Sequence, residues 1–409
     1  MRRPLLSGLI LLAVTAILAV GLLAVVVSRQ THSGSSNGSG PATGIAWQPV
    51  VKGPAVQFTF GPYLASAGSR LYMVGSTPAA GADYSTEVWS SADGTTWDRM
   101  SDAGAFEPGF AAFWMSNDGN GGLILVGSSG SSGSSIGEAR TPEAWHSPDG
   151  RTWTRADLGA EIGGELMRVA ARPGAVVALG DWRIPASGMV TGSDQVATGL
   201  YAWFSADGSA WGRADLPDSA DYVPTAVTAW TGGFVAVADK STAGSTSSIW
   251  TSADGRTWEK APMNLAGFGS DAIAALGDRV VTVGSKPDSK LGIVPASWSS
   301  TDGKTWVQAT AATRDPAFLF DDVTAVDGTL VAIGSSRMAD PLVAGGPTAP
   351  PTPSEGVWIS GDGMTWQLLD EDSSLKLNLN THIASIGGRV VVATQDVSSV
   401  DIYAGNLTR

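Results

Sequence analysis

From residue 64 onward the chain alternates short runs of Ala, Val, Ile and Leu with Gly-containing breaks. The runs come in pairs: "LASAGSRLYMVGS" at 64, "VAARPGAVVALGD" at 169, "VTAWTGGFVAVAD" at 227, "IAALGDRVVTVGS" at 273, "VTAVDGTLVAIGS" at 323 and "IASIGGRVVVATQ" at 383. A longer variant, "FAAFWMSNDGNGGLILVGS", begins at 110. Strands buried on both faces read as nearly continuous apolar runs. The pattern therefore predicts seven inner β-hairpins.

A second pattern follows each of the first six hairpins. "WSSADGTTW" at 89 returns as "WHSPDGRTW", "WFSADGSAW", "WTSADGRTW", "WSSTDGKTW" and "WISGDGMTW". The central carboxylates, Asp93, Asp149, Asp207, Asp254, Asp302 and Asp362, are 56, 58, 47, 48 and 60 positions apart. Ser lies two before each, Gly one after, and Trp four before and four after; Thr lies three after except at Ala210. Alternating residues around Asp-Gly predict strand, turn, strand. Asp can accept turn N–H groups, and Gly takes a left-handed position at no steric cost. A three-residue loop, Ala92 to Gly94, would set Trp89 opposite Trp97 as a cross-strand aromatic pair. A two-residue loop would send the two rings to opposite faces, and the first geometry is preferred.

Seven inner and six outer hairpins leave one unit short of a strand. Its supply lies at the other end of the chain, where "IAWQPV" at 45–50 is similar to the post-turn segments "TWDRM" and "TWVQA". Four strands per unit, seven units and an N-terminal closing strand predict an all-β, seven-bladed propeller of four-stranded antiparallel blades. Closure removes the long unpaired edges that open sheets must protect.

The motif S-x-D-G-x-T-W resembles the Asp-box, or BNR, repeat of sialidases, sortilin-like receptors and photosystem assembly-factor-like propellers, one residue shorter than the usual form. The resemblance covers residues 45–407. It implies a structural box far from any active site, on a fold that serves enzymes and binding proteins alike.

Ahead of the propeller, Leu5 to Val27 is 23 residues without a charge. As a helix it would span about 34 Å, enough for a hydrocarbon core of about 30 Å. Arg2 and Arg3 would stay cytoplasmic and send the remainder outward. Residues 1–27 are thus expected to be a transmembrane signal-anchor, with secretion after signal cleavage as the alternative. No A-x-A-like site follows the apolar run. Residues 28–44, nearly all small or polar, form a tether of about 21–25 Å r.m.s. span. The expected domains are 1–27, 28–44 and the propeller at 45–409.

A net charge of −13 argues against a nucleic-acid partner, because phosphate binding needs clustered Lys and Arg. The absence of cysteine excludes disulfides, thiolate catalysis and Cys-based zinc sites. His32, His146 and His382 lack metal-ligand spacing, so no metal is expected. "DED" at 370–372 and "DD" at 321 read as solvated carboxylates. No P-loop, dinucleotide fingerprint or G-x-S-x-G stands in its required context, and no cofactor is expected.

The resemblance implies a test for sialidase chemistry: an Arg-Ile-Pro element, two further arginines gripping a carboxylate, a Tyr–Glu pair and an acid/base Asp. "WRIP" at 182–185 follows two boxes and reads as a long loop, unlike the family's usual placement before the first box. Arg70, Arg99, Arg151, Arg155, Arg213, Arg256, Arg279 and Arg389 fall in turns or outer strands, as solvated residues would.

In a four-strand meander, boxes and short turns emerge on one face, and long varied connections on the other. Recognition usually resides in such loops. Trp182 and Arg183, with Arg140, Arg314 and Arg337, are therefore the candidate ligand-binding residues. The expected function is a non-catalytic, extracytoplasmic binding or assembly propeller with a protein or glycan partner in the cell envelope. The alternative is a sialidase-like exo-glycosidase.

Overall fold

Seven radial sheets follow from the seven hairpins. A computed structural model describes residues 40–409 except 80–83, 102–103, 131–139, 160–163, 184–197, 241–245, 289–291, 312–317, 337–354, 370–374, 378–379 and 397. The apolar segment and tether as far as residue 39 lie outside the described residues. So do the "DED" run, Arg314 and Arg337.

Blade 1 is the template: Phe60–Ala67, Arg70–Pro78, Tyr84–Ser91 and Asp98–Arg99 pair in that order, all antiparallel. Blades 2 to 6 repeat it, beginning at Phe110–Asn117, Glu165–Arg172, Tyr222–Trp230, Gly269–Leu276 and Phe318–Val326. Blade 7 has three strands from the C-terminal end of the chain, Thr381–Ile386, Arg389–Gln395 and Val400–Thr408. Its fourth is Gly44–Trp47, with Ile45 opposite Leu407 and Trp47 opposite Gly405. The expected closure by an N-terminal strand is what the chain does.

The box turn differs from the expected hairpin. Ser91 Oγ accepts the Gly94 N–H at 2.8 Å, and Asp93 Oδ1 accepts the N–H groups of Thr95 and Thr96 at 2.8 and 2.7 Å. Two side chains therefore satisfy a loop longer than three residues, and the register moves outward. Trp89 faces Arg99, not Trp97, and Trp250 faces Lys260. The second Trp instead caps its own turn: Trp153, Trp211, Trp258 and Trp306 donate Nε1–H to the box Gly carbonyl at 2.9–3.1 Å.

Each box also rests on the preceding blade. A Cβ on Gly94, Gly255 or Gly363 would press on Val391, Val177 or Val281, each in the second strand of the blade before. Several arginines read as solvated are clamps across or within blades. Arg389 Nη1 donates to the Asp93 carbonyl at 2.7 Å, and Arg256 stacks over Phe204 at 4.5 Å. Arg279 Nη1 donates to Ser299 Oγ at 2.9 Å. Their exposure on the surface hides a fixed partner.

Blade 7 has no box to rest on blade 6. That seam is closed by Ile45, Trp47 and Leu407 packed on a cluster that includes Val331, Ile333, Val390 and Tyr403. It is also stitched from the inside, by Ser385 Oγ donating to the Ala325 carbonyl at 3.0 Å and by Asp322, described below.

Candidate functional site in the central channel

The first strand of each blade has a sheet partner on one side only, so its other edge faces the central channel. In blades 1 to 6 this strand carries a register shift near its start, between Phe60/Tyr63, Ala112/Trp114, Leu166/Arg168, Pro224/Ala226, Ser270/Ala272 and Phe320/Asp322. A bulge re-aims the side chains beside it. The recurring bulge brings Tyr63, Trp114, Arg168 and Asp322 to one level of the ring, with the bulged residue Asp271 of blade 5 next to it, and blade 7 adds His382. This level lies toward the ends where the first strands begin, the face of the long connections.

The groups at this level hold one another. Trp114 lies 5.4 Å from the Tyr63 ring and 5.3 Å from the His382 ring, with Tyr63 and His382 4.9 Å apart. The Arg168 guanidinium stacks over Trp114, 4.7 Å from the ring centroid. Its Nε donates to the Thr225 carbonyl at 2.6 Å and its Nη1 to the Met167 carbonyl at 2.8 Å. Asp322 accepts the N–H groups of Val323 at 2.8 Å and Ile383 at 3.1 Å, and meets His382 Nδ1 at 3.2 Å. Asp322 is only 7% exposed, so the "DD" at 321 is not the solvated pair expected.

Electrostatics mark Arg168 as unusual. Burial pushes its pKa down, opposed by Tyr63, Asp322 and Asp271. Burial also raises the Tyr63 phenol, opposed by Arg168. Among the described residues no carboxylate lies within ion-pair distance of Arg168. An enclosed cation is seldom left without a partner anion.

Below this level runs a cavity of about 400 Å³. Its walls are small residues of the seven first strands, such as Ala65, Ser66, Ala170, Thr228, Ala274 and Ala325. Trp114, Arg168, Asp271, Asp322 and His382 line one end, whereas Tyr63 stands outside the wall. Among the described residues of that lining Arg168 is the single arginine, and there is no Glu. Pockets of about 300–1,000 Å³ with a few convergent polar groups are typical of small-ligand sites. Among the described residues no three His, Asp or Glu side chains converge as metal ligands.

The candidate residues stand elsewhere. Trp182 and Arg183 do not begin a loop: their backbone ends the strand Ala175–Arg183, opposite Gly199 and Thr198, on the long-connection face. Their side chains lie outside the description. Arg140, on the same face, reaches across to blade 3 and pairs with Glu165 at 3.0 Å. The box carboxylates lie in the turns at the other face and bind only their own loops. The channel groups were missed because each comes from a different blade. Their signal was a lone charged or aromatic residue near the start of an otherwise apolar inner strand.

No family model matches the chain, and no curated protein matches it. Solved structures do. A YCF48 structure bound to a D1 peptide aligns with a TM-score of 0.53 at 15% identity, covering 91% of this chain and all of that one. An α-L-arabinofuranosidase from Fusarium graminearum, in complex with an iminosugar inhibitor, aligns at a TM-score of 0.49 and 11% identity over 88% of this chain and 98% of that one. Trypanosoma rangeli sialidase with the inhibitor DANA aligns at 0.44 and 12% identity over 89% of this chain and 60% of the enzyme. The fold is a seven-bladed β-propeller of four-stranded blades, which the YCF48 structure resembles. At such identities the likeness concerns the fold alone.

Proposed function

We propose that the protein is a non-catalytic binding or assembly propeller, held at the outer side of a membrane by residues 5–27. The observation that carries this reading is the channel: small-residue walls and, among the described residues, one arginine without a counter-ion and no Glu in the lining. The three arginines and Tyr–Glu pair that sialidase chemistry requires do not meet among the described residues. YCF48, a propeller of the same architecture, holds a D1 peptide, which supports a protein partner in the cell envelope. The apolar run after Arg2 and Arg3 supports the anchor and the extracytoplasmic placement.

The test is affinity capture from envelope extract with the full-length protein as bait. Trp182→Ala with Arg183→Ala, on the long-connection face, should weaken capture at least tenfold. Lys304→Ala, on the box face, should only release Glu259, its partner at 2.6 Å, and leave capture intact. A reversal of those two effects would move the binding face. Release of sugar from envelope glycans by the purified protein would overturn the non-catalytic reading.

A further inference from the structure

An Asp-Gly or Asn-Gly step is a chemically fragile point of a chain, because the glycine leaves its amide nitrogen unshielded beside the side-chain carbonyl carbon. Each of the six boxes contains such an Asp-Gly, and there both reacting groups are engaged. The Gly N–H donates to the box Ser Oγ at 2.8–2.9 Å. The Asp Oδ1 accepts the N–H two residues on, also at 2.8–2.9 Å. Attack by the Gly nitrogen would have to break both bonds.

The turn between Phe110–Asn117 and Leu123–Ser129 is held only at its base. Asp118 Oδ1 accepts the N–H groups of Asn120 and Gly122 at 2.7 and 2.8 Å, and its Oδ2 meets His146 Nε2 at 3.3 Å. The Asp118–Gly119 step is guarded much as a box is, since the Gly119 N–H donates to Asn117 Oδ1 at 3.0 Å. Gly119 also lies against blade 3, where a Cβ would collide with the Arg172 carbonyl. Asn120 and Gly121 stand clear of this base. Both are exposed, and a Cβ on Gly121 would meet nothing within 4 Å. Among the described residues neither the Asn120 side chain nor the Gly121 N–H has a partner. The chain's other Asn-Gly, Asn37–Gly38, lies outside the described residues.

We propose that Asn120–Gly121 is a modification site, at which the folded protein closes a succinimide and converts Asn120 to aspartate and isoaspartate. The Gly121 nitrogen gives its proton to hydroxide and bonds to Asn120 Cγ. The Cγ–Nδ2 bond breaks, and the nitrogen takes a proton from water and leaves as ammonia. Water then opens the ring: at one carbonyl it gives aspartate, at the main-chain carbonyl isoaspartate. Either product puts a carboxylate on residue 120, whose N–H is held by Asp118, so like charges meet in the turn. Isoaspartate also lengthens the backbone of a turn that holds His146 and rests on Arg172. The change falls where blade 2 meets blade 3 on the box face.

The test incubates the full-length protein in mild detergent at pH 9, folded and in urea, and follows its tryptic peptides by mass spectrometry. The peptide of residues 100–140 contains Asn117 and Asn120 as its only amide side chains. It should gain the mass that exchanges an amide for an acid, less than tenfold more slowly in the folded protein than in urea. Isoaspartate at the box Asp-Gly steps should form at least tenfold more slowly in the folded protein. Asn120→Gln, an exposed change, should abolish the mass gain in residues 100–140. A gain that persists in that variant would assign the reaction to Asn117 and overturn the proposal. So would a folded protein that reacts at Asn120 tenfold or more slowly than in urea, because the turn would then protect it. Boxes that isomerise as fast folded as unfolded would remove the contrast on which the site was chosen.

Discussion

Gly94 in the first box lies against Val391 in the last blade, so close that a Cβ on Gly94 would come within 2.6 Å of Val391 Cγ2. Its φ of +79° is also one that a side chain resists. Gly94→Ala should therefore lose at least about 1–2 kcal/mol from the left-handed backbone, with the contact adding to it. The control is Gly68→Ala, which has φ +58° but open space around it. Urea unfolding of both variants separates the two contributions. Equal losses would mean that the seam yields freely.

The box carboxylates make the fold acid-sensitive in a defined window. Asp302 is held down at about 2, chiefly by the N–H of Thr305. Its folded pKa thus lies below the unfolded value of about 3.9. The stabilisation is present above about pH 4 and is lost as pH falls through about 2. Denaturant midpoints at pH 7, 4 and 2.5 should fall mainly in the last interval, and Asp302→Asn should fall less over it.

Asp254→Ala tests the box without changing pH. Asp254 Oδ1 accepts the N–H groups of Arg256 and Thr257 at 2.8 and 3.0 Å. Losing a charged acceptor for two N–H groups should cost about 1–3 kcal/mol. Partner capture at a temperature where the variant is folded should be unaffected. Loss of capture without loss of stability would make the box a binding element.

Two tryptophans separate hydrogen bonding from packing. Trp258 Nε1 donates to the Gly255 carbonyl at 3.1 Å, whereas Trp366 Nε1, equally enclosed, has no acceptor among the described residues. Trp→Phe at either position removes similar apolar area. The change at 258 should cost more than that at 366 by about 0.5–1.5 kcal/mol, measured by thermal unfolding. Equal costs would show that the cap carries no net energy.

Closure can be tested at one residue. Ile45→Asp places a charge among Val331, Val390 and Tyr403 and should lower stability by about 1–3 kcal/mol. An unchanged midpoint in circular dichroism would make the closing strand dispensable.

Blade number, strand order and the closing strand were legible because each depends on periodicity, which survives translation from sequence to sheet. The Trp89–Trp97 pairing was not, because the register follows from how many N–H groups Ser91 and Asp93 capture, and spacing alone does not count them. Arg389 and Arg256 looked solvated because their partners, the Asp93 carbonyl and the Phe204 ring, lie in other blades. Trp114, Arg168 and Asp322 were hidden for a related reason. Bulges with no shared residue type turn them into one channel level, and nothing local in "LMRVAAR" or "FDDV" announces it.

The pairing of Gly44–Trp47 with Val400–Thr408 also sets an order of events. Thr43 and Thr408, joined by a hydrogen bond between their backbones, are 365 residues apart. At about 5–20 residues per second, the interval between making the one and the other is on the order of 20–70 s. Throughout that time the first strand made has no neighbour, and the growing arc of blades keeps an open end. The ring therefore closes only after Val400–Thr408 has been made, and a chain cut short before residue 400 leaves both Gly44–Trp47 and the edge of Arg389–Gln395 without the strand that pairs with them.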